Sequence, residues 1–115
     1  MTTLSTHVLN TANGTPAQGL KITLKRLDPK PKDLGVFVTN ADGRVSEQLL
    51  SEKEALFGVY EITFHAGDYL GSLGLTLPEY PFLDIIPIRF GISEYAHHHV
   101  PLLLSPYGFS TYRGS

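Results

Sequence analysis

Along much of this chain polar and apolar residues alternate with a period of two. In "LKITLKRL", Leu20, Ile22 and Leu24 fall on one side and Lys21, Thr23 and Lys25 on the other. That is the pattern of a strand with one buried face, because successive side chains of a strand point to opposite sides. "VYEITF" repeats it with Tyr60, Ile62 and Phe64. "THVLN", "GVFVTN", "IIPIRFGI" and "HHVPLLLS" are also rich in β-branched, aromatic and aliphatic residues. Between these runs lie "NTANGTPAQG", "LDPKPKDLG", "TNADGR" and "LPEYP", where Gly, Pro, Asn and Asp mark turns. Short strands at such intervals predict an antiparallel sandwich or barrel. "GDYLGSLG" departs from the period and predicts one short helix, with Asp68 serving its N-terminus and Gly74 its end. "SEKEALFG" is a second candidate, either helix or loop.

The histidine run in "EYAHHHVPLLLSP" reads differently once it is placed on a strand. His98, Val100, Leu102 and Leu104 share one face, which looks like core; His99, Pro101, Leu103 and Ser105 share the other. Pro101 has no N–H to give a ladder, so it predicts an edge or a local break in pairing. His97 has the parity of His99. Two histidines on one face can chelate a metal, but no further histidine or carboxylate stands at a ligand spacing, and no metal is expected. Near the start, "STHVLN" puts Ser5, His7 and Leu9 on one face and Thr6, Val8 and Asn10 on the other. Arg44 follows the turn "NADG". Taken singly, each of these residues also fits a solvated strand-end position.

Composition narrows the choices. With 115 residues, one domain spanning residues 1–115 is expected. The net charge is −2 and the basic residues are scattered, which argues against a nucleic-acid partner. There is no cysteine, so disulfides and thiolate metal sites are excluded. No secretory signal is expected, and no segment reaches the ~18 apolar residues of a membrane span. The expected location is therefore cytoplasmic.

Three segments together, "THVLNTANGTPA", "TNADGRV" and "HHHVPLLLSPYGFSTYRGS", carry a resemblance that covers essentially the whole chain. The sequence resembles the 5-hydroxyisourate hydrolases, the transthyretin-related enzymes of urate breakdown, which characteristically end in Tyr-Arg-Gly-Ser as at Tyr112–Ser115. The resemblance implies an all-β fold: a transthyretin-like sandwich of two four-stranded sheets with one short helix at "GDYLGSLG". It also implies a homotetramer, a dimer of dimers whose active sites lie in a channel between subunits. His7, Arg44, His99 and Tyr112 match the family's site positions. The mixed faces of His7 with Leu9 and of His99 with Leu103 would suit such an interface. Transthyretin, a thyroid-hormone carrier, has the fold without the enzyme's histidines or its Tyr-Arg-Gly-Ser end. A small-molecule carrier is thus the alternative reading. The chain departs from the usual pattern at Asn10 (usually Asp), His98 (usually Tyr) and Phe109 (often Tyr). Asn10 is where the orientation of His7 is expected to differ, and His98 is expected to alter the electrostatics beside His99.

The implied reaction is hydrolysis of 5-hydroxyisourate to 2-oxo-4-hydroxy-4-carboxy-5-ureidoimidazoline, without cofactor. Opening a cyclic amide needs a base for water, a cation for the oxyanion and a proton for the leaving nitrogen. Imidazole suits the base because it is largely neutral at pH 7. Guanidinium suits the oxyanion because it is a permanently charged fork. The resemblance therefore implies His7 or His99 as base, with the other as polariser or acid. Arg44 would hold substrate oxygens, and Tyr112 with Ser115 would bind the ring's polar edge. Arg113 would face away from Tyr112 and form a salt bridge or interface contact. His65 and His97 are structural in this reading, His97 being a candidate partner behind His99.

Overall fold

The computed structural model describes residues 2–114. In chain order its elements are β1 (Thr3–Ser5), β2 (Val8–Asn10), β3 (Thr15–Pro16), β4 (Lys21–Asp28), β5 (Lys32–Val38), β6 (Gly58–His65), α1 (Ala66–Ser72), β7 (Ile85–Ile92), β8 (His97–His99), β9 (Leu102–Ser105) and β10 (Gly108–Thr111). One four-stranded sheet runs β5-β4-β6-β7 and the other β10-β9-β2-β3; β1 and β8 form a two-stranded extension. The sandwich of two four-stranded sheets with one short helix is therefore present.

The strongest alternating segments form the centre. In β4, Ile22 and Leu24 are sealed from solvent while Lys21 and Lys25 are exposed, and Tyr60, Ile62 and Phe64 of β6 are fully buried. β4 and β6 pair antiparallel, so Leu24 stands opposite Ile62 and Ile22 opposite Phe64. The second sheet contributes Val8, Leu102 and Leu104 to the same core. Arg26 continues the inward parity of β4 and is buried too. Its guanidinium donates to the carbonyl oxygens of Lys30 and Glu54 at 2.8 and 2.9 Å, which satisfies a charge that burial would otherwise penalise.

The second sheet departs from the antiparallel expectation. β2 pairs parallel with β9, Val8 opposite Leu102 and Leu9 opposite Leu103. β1 pairs parallel with β8 in the same register, Ser5 opposite His99. The two parallel stretches are one ladder of constant register whose irregularity lies at Thr6 and the Val100 carbonyl; Pro101, between β8 and β9, directs its N–H-less edge the other way, towards the returning chain. The irregularity is bridged on both sides, by Val100 donating its backbone N–H to the Ser5 carbonyl and Leu102 donating to that of His7. Thr6 closes it by donating its hydroxyl to the Val100 carbonyl at 2.7 Å.

Helix α1 begins at Ala66, so Asp68 lies inside its first turn and does not cap it. β6 runs directly into the helix. The backbone N–H of Gly67 donates instead to the Asp84 carbonyl on the approach to β7. Gly74, at φ +77°, supplies the left-handed residue that ends the helical stretch. "SEKEALFG" holds a single 3₁₀ turn over Glu52–Glu54, too short to count as a second helix. Among the described residues no helix is long and apolar enough to cross a membrane.

Because Ile62 is fully buried between two paired strands, Ile62→Ala is expected to destabilise the fold by about 2–5 kcal/mol. Urea unfolding followed by circular dichroism should show this as a lower midpoint at an unchanged slope.

Candidate active site

His7 sits beside the irregularity of the parallel ladder. Its neighbours Thr6 and Val8 point into the core, so the imidazole emerges on the opposite, half-exposed face with Ser5 and Leu9. The backbone of His7 forms an antiparallel bridge with Arg44. That bridge depends on the turn "NADGR". The Asn40 side-chain oxygen accepts the backbone N–H groups of Asp42 and Arg44 at 2.9 and 3.2 Å. Gly43 then turns at φ +74°, so close to the first strand segment that a Cβ would stand 2.3 Å from the Val8 carbonyl oxygen. Glycine is required twice over here, for conformation and for space.

The ladder brings His99 to the same face. Ser5 lies directly opposite it, and the Ser5 hydroxyl is 2.7 Å from His99 Nδ1. On the other side the chain returns from β10, and His99 bridges antiparallel to Gly114, whose N–H donates to the His99 carbonyl at 2.8 Å. A Cβ on Gly114 would fall 2.5 Å from the His99 ring. The glycine of Tyr-Arg-Gly-Ser is thus the residue that lets the returning backbone lie against the imidazole. The pairing of Thr111 with Leu102 and of Gly114 with His99 is one register, which sets Tyr112 opposite Pro101, on the side of His99. Ser115 lies outside the described residues.

His7, Arg44 and His99 therefore converge, although they come from three separate stretches of sequence. Arg113 is directed elsewhere and makes a 2.7 Å ion pair with Glu94. Asn10 does not touch His7. It is buried on the core side, where its Nδ2 donates to the Tyr69 hydroxyl at 3.3 Å and its oxygen accepts the N–H of Ala12. His98 is also buried, with Nε2 3.4 Å from the Glu94 carbonyl oxygen, on the opposite face of its strand from His99. Among the described residues no three His, Asp or Glu side chains gather as a metal-binding group.

Sequence reasoning missed Ser5, and it assigned His97 only a supporting place. The Ser5 hydroxyl is 2.9 Å from His97 Nε2, and the rings of His97 and His99 stack with centroids 6.4 Å apart. Parity alone puts Ser5 on the face of His7. Only the parallel register sets it between the two histidines.

The electrostatics of the cluster favour a neutral His99. Burial of the ring is the main cause that lowers its pKa from the ordinary 6.5, and the positive charges of Arg44, His97 and His7 push the same way; the Ser5 main chain opposes them. A neutral imidazole with one nitrogen engaged by Ser5 keeps the other available as a base. Arg44 and Tyr112, by contrast, are open to solvent in the single chain, Tyr112 at 58% exposure. Concavities of about 520 and 200 Å³ lie elsewhere, the first against β4 and β5 and the second between Phe90 and Val100; neither is lined by His7, Arg44 or His99, while Tyr112 lines the second.

Residues 4–114 match the family model described as HIUase/Transthyretin family. The chain belongs to this family. Among HIUase/transthyretin relatives, it is 58% identical over 113 residues to a 5-hydroxyisourate hydrolase of Mesorhizobium japonicum, with 97% of this chain and 91% of the relative covered. Its fold matches a solved (S)-allantoin synthase at a TM-score of 0.94 and 50% identity, over 99% of this chain but only 44% of that longer one. It matches the Klebsiella pneumoniae 5-hydroxyisourate hydrolase at a TM-score of 0.83 and 37% identity, with both chains fully covered. Sea bream transthyretin in complex with thyroxine is more distant, at 26% identity and a TM-score of 0.84 over 96% of this chain and 93% of that one.

The charge distribution makes a prediction that needs no substrate. Arg44 opposes protonation of His99, so Arg44→Gln is expected to raise the His99 pKa part of the way back towards 6.5, the effect of burial remaining. Titration of the His99 ring by NMR should show the midpoint moving to higher pH; a midpoint moving lower, or not at all, would contradict the proximity of the two groups.

Proposed function

We propose that this chain is a metal-free hydrolase that opens the ring of 5-hydroxyisourate to give 2-oxo-4-hydroxy-4-carboxy-5-ureidoimidazoline in urate degradation. The observation that carries this reading is the convergence of His7, Arg44 and His99 on one face of a chain 58% identical to a 5-hydroxyisourate hydrolase.

His99 is the base. Its lowered pKa keeps it neutral, and it takes a proton as water adds to the ring carbonyl. Arg44 faces the oxygen that gains charge in the tetrahedral intermediate and helps to hold the urate-like anion. Collapse of the intermediate breaks the carbon–nitrogen bond, leaves a carboxylate on carbon and delivers a proton to the departing nitrogen. His7, beside Arg44, polarises the carbonyl. Tyr112 binds the polar edge of the substrate, with Ser115 assigned there by resemblance. A positioned base contributes roughly 10²–10⁴-fold to such a reaction.

The site is complete only in an assembly, which we propose is a homotetramer of two dimers. Arg44 and Tyr112 are solvent-exposed in the single chain, and Leu9 and Leu103 of the same face are half-exposed. Tyr80, Phe82, Tyr95 and Tyr107 are at least 71% exposed, an apolar surface that subunit contacts would cover. Closing the channel would remove water from around Arg44 and strengthen its effect on the oxyanion. Likeness to transthyretin supports a carrier as the second reading, but a carrier has no need of a neutral histidine held beside an arginine.

Freshly generated 5-hydroxyisourate, made from urate by a urate oxidase and followed by ultraviolet absorbance, tests this. Its decay should accelerate with the protein, and the acceleration should survive a chelator. His7→Ala, Arg44→Ala and His99→Ala should each reduce kcat/KM by ~10²-fold or more while the fold is retained. Gly114→Ala should also reduce turnover, because its methyl group displaces the His99 ring. A folded protein that leaves the decay unchanged but binds aromatic ligands would be the carrier.

A further inference from the structure

The mechanism uses one nitrogen of His99; the other belongs to a longer chain of contacts. Nδ1 of His99 meets the Ser5 hydroxyl at 2.7 Å, the same hydroxyl meets Nε2 of His97 at 2.9 Å, and Nδ1 of His97 meets the Thr3 hydroxyl. The four groups form an unbranched chain that alternates hydroxyl and imidazole. Register builds it: Thr3 stands opposite His97 and Ser5 opposite His99 in the parallel ladder, so the two hydroxyls and two rings share one face. Resting on the hydrolase reading above, we propose that Ser5 is a positioning residue that couples His99 to His97. In this arrangement His97 holds the reaction's proton between water attack and departure of the ring nitrogen.

The proton count supports the coupling. Ser5 has a single hydroxyl proton between two ring nitrogens, so it cannot donate to both. In one orientation His99 donates from Nδ1 to Ser5, and Ser5 donates to Nε2 of His97. His99 then has a bare Nε2, the form a base needs. In the reverse orientation His97 donates from Nε2 to Ser5, and Ser5 donates to Nδ1 of His99. A neutral His99 then bears its proton on Nε2, the form an acid needs.

Attack by water interconverts the two. As the water oxygen bonds to the carbonyl carbon, its proton goes to Nε2 of His99. The Nδ1 proton passes to Ser5 and the Ser5 proton passes to Nε2 of His97. His97 is now the imidazolium, and His99 is neutral with a proton on Nε2. When the carbon–nitrogen bond breaks, that proton goes to the leaving nitrogen and the chain reverts, with no proton gained or lost. The positive charge has meanwhile resided on His97. In the single chain that ring is exposed and lies farther out on the face, whereas His99 is partly buried among the charges of Arg44 and His7. One histidine can therefore serve both halves of the reaction.

Nitrogen-15 NMR of the histidine rings, on the protein without substrate, tests the coupling. Wild type should show His99 with its proton on Nδ1, and Ser5→Ala should shift the population towards Nε2. In turnover assays Ser5→Ala and His97→Gln should lower kcat by ~10–10²-fold, part of the general acid–base contribution, with KM changed by less than about twofold. The acid limb of the kcat profile should move in both, and Ser5→Thr, which keeps the hydroxyl, should restore most of the rate. Unchanged kcat, pH profile and His99 tautomer in Ser5→Ala and His97→Gln would overturn the proposal. So would a rate loss that Ser5→Thr fails to restore while the tautomer stays fixed. Wild-type protein that lacks turnover would count against the hydrolase reading alone, because the tautomer measurement needs no substrate.

Discussion

The parallel ladder between the first ten residues and residues 97–105 is the constraint on which the rest of the molecule depends. It joins positions 94 apart in sequence, its backbone donors Val100 and Leu102 running past Pro101 to Ser5 and His7, with the Thr6 hydroxyl serving the Val100 carbonyl. His7 is tied to β9 through its carbonyl, which accepts the Leu102 N–H. On its other edge the same segment bridges to Arg44, with Val8 donating to the Gly43 carbonyl, and Thr6 seals the Val100 carbonyl without exposing the core. The active face is thus built where one short segment is paired on both edges, to β8 and β9 on one and to the Arg44 turn on the other.

Two glycines complete this arrangement by absence of substance. Gly43 lets the Asn40 turn press against the Val8 carbonyl and hold Arg44 beside His7; Gly114 lets the returning chain lie on His99. Neither residue contacts anything through a side chain, yet each fixes a charged or basic group to within the reach its chemistry needs. Positive charge accumulates around His99 as a result. The fold makes this tolerable by keeping that ring neutral and leaving Arg44 open to solvent.

The strand interiors were legible in the sequence because their signal is local. Leu20, Ile22 and Leu24 alternate with lysines and threonine, and Tyr60, Ile62 and Phe64 do the same with little ambiguity. The faces of His7 and His99 followed from the same parity, and Pro101 announced the break between β8 and β9. Other features were hidden because they are pairings. Nothing in "TLS" distinguishes β1 from a frayed end, and its parallel partner is nearly the length of the chain away. β3 and β10 are too short to show a period. Asp68 carries a helix-start signal, but β6 enters α1 so directly that the cap position falls on His65. Asn10 and His98 looked like neighbours of the catalytic histidines by spacing along the chain. Because alternate residues of a strand face opposite ways, both are core residues instead. Resemblance supplied the grouping of His7, Arg44, His99 and Tyr112, which parity and spacing alone leave as four unrelated polar positions.

The separation of the ladder's two halves also bears on how the molecule comes into being. Loop closure over that span is entropically expensive, and it is made before the contacts that reward it exist. The β4–β6 region can order as soon as it leaves the ribosome, but the edge of Val8 and Leu9 that faces β9 stays open until β9 has been made. During synthesis the amino-terminal segment therefore keeps one open, partly apolar edge for almost the whole elongation time, a condition under which a nascent chain is open to mispairing. Chemistry and quality control then coincide: a chain that stalls before its last strands acquires neither the second sheet nor a functioning histidine.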